Sequence, residues 1–276
     1  MNKIRVVVSR EAEVGFYSYV QQVICALWSS EKDGIPLVVD FSRNHRYIDK
    51  PGENVWDNYF EQPYGISLQE AIERKNRNEV ELIEDEWFKN EDVNRELIGG
   101  PLLDETVRKK AAIGAKRIKP IGETKEIIDS YYNDNMKGYK ILGVHKRSGQ
   151  IRPTHEERII TFIEFFGEID KHIDKFDKIY LATNVIDEHL QFVERYGDKV
   201  LFRNVTRVPF LGEKWKDILD CNTGVSKFKL GQEVIIDCFL LSKTDLLIKN
   251  LSGISINSCF LNSNLPYIEL NKKFYN

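Results

Sequence analysis

The chain has 276 residues, 42% of them hydrophobic and 30% charged, and a formal net charge of −3. That suffices for one large domain or two ordinary ones and is too apolar for a disordered protein. The charge excludes bulk electrostatic binding to nucleic acid or an anionic membrane. No run approaches the ~18 apolar residues of a membrane span, so any membrane association is peripheral.

The start, Met1 to Val8, is too short in its apolar run for a secretory signal and predicts a first strand, Lys3 to Ser9. From Tyr17 to Ser30 the residues Tyr19, Val20, Val23, Ile24, Leu27 and Trp28 recur at helical spacing, and Gly34 is a stop. Pro36 to Phe41 is a second strand, and the unit has the size of a βαβ crossover, which predicts parallel strands. The loop from Arg10 to Ser18 then lies at the carboxyl edge of the sheet. It carries Glu11 and Glu13, which are either ligand-facing or solvated carboxylates at a helix start. Asn54 to Glu61 reads as a short amphipathic helix. Its aromatics, with Tyr47, are either core or a surface that stacks on sugar rings. Helices are predicted over 67–77, 102–113 and 123–135, whereas 76–94 is acidic and without strong periodicity.

The second half repeats the alternation. Strands are predicted at 141–144, 178–183, 200–202, 245–249 and 267–270, and helices at 153–166, 187–196 and 231–242, with a short one from Ile256. The spacing of Thr154 and Glu157 is that of a capping box, which also explains His155 and Glu156 as helix-start residues. Thr206 to Lys229 is a long stretch without a clear period, a length often tied to function. The fold class is α/β, with two Rossmann-like domains, 1–135 and 136–276, facing a cleft. Cys25, Cys221, Cys238 and Cys259 show no Cys-x-x-Cys spacing and read as reduced thiols of a cytoplasmic protein. The five histidines form no ligand pair, and no Asp-x-Asp clamp is present, so no metal site is predicted.

The strand 141–144 ends in His145-Lys-Arg147, and residues two apart on an extended chain share a face. His145 and Arg147 can form a positive fork suited to phosphate at a strand's carboxyl end; the plainer reading is an arginine paired with a loop carboxylate.

Four blocks stand in order: Gly143-Val-His-Lys-Arg147, Tyr180-Leu-Ala-Thr-Asn184, Glu233 to Ser242 with Asp237, and Asp245 to Ser252. Together they resemble the fucosyltransferase superfamily, most closely its α1,6 branch, whose shared mark is a His-x-Arg ending the first strand of the donor domain. Gly15-Phe-Tyr-Ser18 with Gln21 and Gln22 resembles the first loop of the acceptor domain. The resemblance implies a GT-B glycosyltransferase that moves fucose, or a related deoxysugar, from GDP-fucose to a glycan acceptor. It implies inversion, no metal ion and no cofactor beyond the GDP-sugar substrate. By position, Arg147 would bind the diphosphate and steady the leaving group, and His145 would contact the donor. Thr183 and Asn184 would lie at the nucleoside, Asp237 at the guanine end, and Ser252, Gly253 and Ser255 in the phosphate-binding turn. The branch carries a second arginine where this chain has Ser148, and acids where it has Asn184 and Val185. Those departures keep two alternatives in view: a transferase of this fold with another nucleotide-sugar donor, or a catalytically silent nucleotide- or sugar-binding protein.

Departure of a nucleoside diphosphate builds charge on phosphate oxygens, and a fixed guanidinium with turn amides stabilises it. Inversion needs a base on the opposite face, and Glu13, then Glu11, are the candidates.

Overall fold

The computed structural model describes residues 3–9, 15–43, 46–50, 52–83, 105–147, 160–209, 221 and 223–270. The chain forms two compact units, one of Met1–Glu126 with Ser226–Gln232, the other of Ile127–Val225 with Glu233–Asn276.

The first unit holds β1 (Ile4–Val8), α1 (Phe16–Asp33), β2 (Leu37–Asp40), α2 (Leu68–Lys75), β3 (Val80–Ile83), α3 (Glu105–Ala115) and the start of α4 (Gly122–Tyr131). Its three strands run parallel in the order β2-β1-β3. The apolar stripe of α1 is buried, and Gly34 ends the helix at φ 66°, its amide donating to the Ser30 carbonyl. α1 packs on α3 so closely that a Cβ at Gly114 would stand 2.4 Å from the Ile24 carbonyl oxygen. β3 falls inside the acidic stretch that shows no period. It is four residues long, with Glu81 and Leu82 exposed, so there is too little alternation to see.

The segment expected to be a helix after Asn54 is a single 3-10 turn, Val55–Asn58. Its aromatics are core: Tyr47, Trp56, Tyr59 and Phe60 are at most 4% exposed. Phe41 meets Trp56 and Phe16 meets Tyr59 edge-on, at 5.6 and 5.3 Å between centroids. The sugar-stacking reading of these rings is therefore corrected. The stretch 226–232 completes this core. Phe228 stacks on Tyr59 at 5.1 Å, and the Tyr59 hydroxyl donates to the Phe228 carbonyl at 2.8 Å.

The second unit holds the end of α4, β4 (Ile141–His145), α5 (Phe162–Asp170), β5 (Lys178–Ala182), α6 (Ile186–Tyr196) and β6 (Val200–Leu201). It continues with α7 (Lys227–Leu241, from Glu233 onward), β7 (Leu246–Lys249), α8 (Gly253–Leu261) and β8 (Tyr267–Glu269). The five strands are parallel in the order β6-β5-β4-β7-β8. Leu142, Val144, Ile179, Leu181 and Ile248 form one core with Phe165, Ile169 and Phe192. The capping box of α5 is Thr161 with Glu164, not Thr154 with Glu157, which lie outside the described residues. The same spacing occurs twice, and the box described abuts the apolar run.

Candidate functional site

β4 is buried along its whole length and central in its sheet. The chain winds from β4 through β5 to β6 on one side, then returns to β7 and β8 on the other. The switch point lies between β4 and β7, where open α/β sheets collect ligands beyond the carboxyl ends. His145 to Arg147 end β4, and Lys249 and Asn250 end β7.

Asn250 joins the two ends. Its Oδ1 accepts from the Arg147 amide at 2.8 Å, and its Nδ2 donates to the Arg147 carbonyl at 3.0 Å. Its own carbonyl accepts from Ser255 Oγ at 3.2 Å. One side chain thus fixes the backbone of Arg147 to the turn that opens α8. That helix starts at Gly253, three residues before the expected Ile256. Its N-cap Ser252 makes no side-chain capping bond, and its first turn holds no acid. The first amides of a helix lack intrahelical acceptors and carry a partial positive charge, so they favour an anion.

His145 faces the interior, and its Nδ1 is buried with no hydrogen-bond partner among the described residues. Burial, then the charges of Arg147 and Lys249, push its pKa down to about 3, so the ring is neutral. Lys146 turns to the other face, as alternation requires. It pairs with buried Glu188, and its ammonium stands 4.5 Å from the Phe162 ring centre. Lys249 pairs with Glu269 at 2.5 Å, and both are buried.

The structure brings together Arg147, Ser252, Gly253 and Ser255 through the Asn250 clamp. Thr183 is engaged locally, its hydroxyl donating to Glu188 at 2.5 Å and accepting from the Val185 amide at 3.3 Å. Asn184 receives the Val208 amide on its carbonyl at 2.9 Å. Ser255 Oγ also bonds the Ser252 carbonyl, at 3.2 Å, so this hydroxyl holds the turn. Asp237 is engaged: its Oδ1 accepts from the Tyr180 hydroxyl at 2.6 Å and from Arg203 Nε at 3.1 Å, with a second bond from the same guanidinium. Glu11, Glu13 and Ser148 lie outside the described residues. Sequence reasoning missed Asn250, Lys249 and Arg203. The first two carried a signal, since polar residues directly after the apolar run 246–248 mark a strand's end.

No family model matches the chain, and no curated protein does. Solved structures do. NodZ α-1,6-fucosyltransferase soaked with GDP-fucose is 19% identical over 97% of this chain and 95% of its own, with a TM-score of 0.58. Fucosyltransferase NodZ from Bradyrhizobium is 18% identical over 97% of this chain and 95% of its own, at 0.57. POFUT1 in complex with GDP-fucose is 10% identical over 97% of both chains, at 0.55. The fold is that of these GT-B fucosyltransferases, as the four sequence blocks imply.

Proposed function

We propose that the chain transfers fucose from GDP-fucose to a glycan acceptor, inverting the anomeric centre without a metal ion. The observation that carries this is the Asn250 clamp. It sets Arg147 beside the start of α8, at the switch point of a sheet whose fold is shared with fucosyltransferases solved with GDP-fucose. The guanidinium and the α8 amides would hold the leaving diphosphate in a fixed geometry, so little reorganisation accompanies charge build-up. The acceptor hydroxyl attacks from the opposite face, with Glu13, then Glu11, as the base. The reaction is assigned to the cytoplasm, in keeping with the reading of the cysteines as reduced thiols. No helix among the described residues is long and apolar enough to cross a membrane.

The test is turnover of GDP-fucose beside a panel of UDP-sugars, with and without EDTA. Arg147→Ala is expected to lose ~10²-fold or more in kcat/KM, the loss typical of one transition-state donor. Preference for a UDP donor, or dependence on a divalent cation, sinks the proposal. Tight GDP binding without turnover on any acceptor would favour a silent binding protein. A second reading, a different nucleotide sugar, is supported by the engagement of Asp237 with Arg203 and Tyr180.

A further inference from the structure

The ends of β4, β7 and β8 carry a charge pair that the proposed chemistry does not use. His145 stands beside Lys249 in the register of β4 and β7, and Lys249 beside Glu269 in that of β7 and β8. Register neighbours on parallel strands point to one face of a sheet, so the three side chains form a line across three strands. They lie on the face opposite Lys146, which turns toward Phe162 and Glu188. All three are buried, and the Lys249 ammonium donates to Glu269 at 2.5 Å. The line is tied to the Arg147 clamp, because the Asn250 amide donates to the His145 carbonyl at 3.4 Å and the Leu270 amide to that of Lys249 at 2.9 Å.

Stability does not account for this pair. A buried ion pair competes with an apolar pair only when its remaining lone pairs are satisfied. Here one carboxylate oxygen of Glu269 is buried with no hydrogen-bond partner among the described residues. What the pair supplies is direction. β7 lies between β4 and β8, so the ammonium comes from the β4 side and the carboxylate from the strand beyond. The pair is a dipole with its positive end toward the switch point, and its burial leaves it little screened by water or salt. Its field reaches the end of β4, since Lys249 is one of the charges that keep the His145 imidazole neutral. A departing diphosphate gathers negative charge there, and Ser148, not a second cation, follows Arg147. Fixed positive dipoles aimed at developing charge stabilise it without reorganising.

We propose that Lys249 and Glu269 are positioning residues for the donor's diphosphate: a buried dipole, positive toward the end of β4, that draws the diphosphate onto Arg147 and steadies it as it leaves. This rests on the donor reading above and adds two residues to it. Their effect travels as a field, without contact with the donor.

The test compares three versions of the pair in the whole chain: wild type, Lys249→Met with Glu269→Leu, and Lys249→Glu with Glu269→Lys. The last keeps both charges and reverses the dipole. Calorimetry with GDP and GMP and turnover of GDP-fucose are read on each, beside thermal unfolding. The neutral pair should bind GDP ~tenfold more weakly than wild type, and the reversed pair ~100-fold. The loss should be smaller for GMP, which carries less charge, and kcat should fall in the same order. Equal GDP affinity in wild type and neutral pair, a reversed pair that binds no more weakly than the neutral one, or equal losses for GMP and GDP overturns the inference and leaves the donor reading intact. If the reversed pair does not fold, the neutral pair decides by the same GDP and GMP comparison. A wild type that binds no GDP overturns both.

Discussion

The two units bury polar groups of different kinds. In the first, among the described residues, Ser9, Gln21, Gln22, Ser30, Thr124 and Gln232 are buried, and all are neutral. In the second, Lys146, Glu188, Arg203, Glu233, Lys249 and Glu269 are buried, together with His145 and His189. Burying a paired charge rarely improves stability over an apolar pair of the same volume, because desolvation offsets the attraction. Such pairs therefore need another reason. In the second unit they surround the carboxyl edge of the sheet, where an anion would be handled. Lys146 with Glu188 and Lys249 with Glu269 flank β4 and β7 on either side of the switch point.

Breaking one partner of a buried pair gives the largest expected effect. Lys249→Ala leaves Glu269 uncompensated and should destabilise the protein by about 3–5 kcal/mol in urea unfolding. Lys249→Met with Glu269→Leu should recover to within ~1 kcal/mol of wild type, since the apolar pair has no desolvation to offset. If that double variant also keeps full turnover, the pair has no part in the site and the contrast between the units loses its functional meaning.

The next effect is pH-dependent. The folded pKa of His145, about 3, lies below the usual 6.5, so the unfolded chain takes the proton first. The corresponding stability is complete above about pH 6.5 and falls as the pH drops toward 3, at about 1.4 kcal/mol per pH unit. His145→Asn should flatten the acid limb of a stability–pH curve. An unchanged limb would show that the imidazole gains a partner or water in solution.

Asn250→Ala removes both bonds that fix the Arg147 backbone. The expected cost is about 1–3 kcal/mol of stability, with a loss in kcat at least as large as the loss in KM. A variant with normal kcat would show that the clamp is structural only. The smallest effect belongs to the first unit. Both polar atoms of the Gln22 side chain are buried without a partner among the described residues. Gln22→Leu should therefore be neutral or stabilise by up to ~1 kcal/mol in thermal unfolding. A large destabilisation would place a hidden polar partner at Gln22 and weaken the comparison.

Much of the architecture could be read from the amino-acid sequence because it is carried by local pattern. The stripe of α1 and the apolar runs of β1, β2, β4, β5 and β7 are each contained in one window. His145 and Arg147 were visible because they end such a run. What escaped depends on distant partners. The Asn250 clamp joins residues 103 apart in sequence, and Arg203 meets Asp237 across 34. No spacing rule encodes either. The aromatics around Trp56 sit among charges in sequence, which keeps a sugar-stacking alternative beside the inward reading, and the packed unit bears out the inward one. Asp237 was recognisable as an acid at a matching position, but its Arg203 partner follows a two-residue strand with almost no pattern of its own.

The short return of the chain at 226–232 has a consequence for biosynthesis. Tyr59 stacks on Phe228, and the absence of a side chain at Gly231 makes room for its hydroxyl, where a Cβ would stand 2.4 Å away. Asp49 accepts the Lys227 and Phe228 amides at 3.1 and 2.9 Å, and Gln232 bonds Glu123 at 3.0 Å. The amino-terminal unit therefore lacks part of its interior until the ribosome has passed residue 232. Domains commonly fold in order as they emerge. Here the first to emerge must wait, partly exposed, for a segment made after most of the second, which makes the nascent chain a natural client for a chaperone.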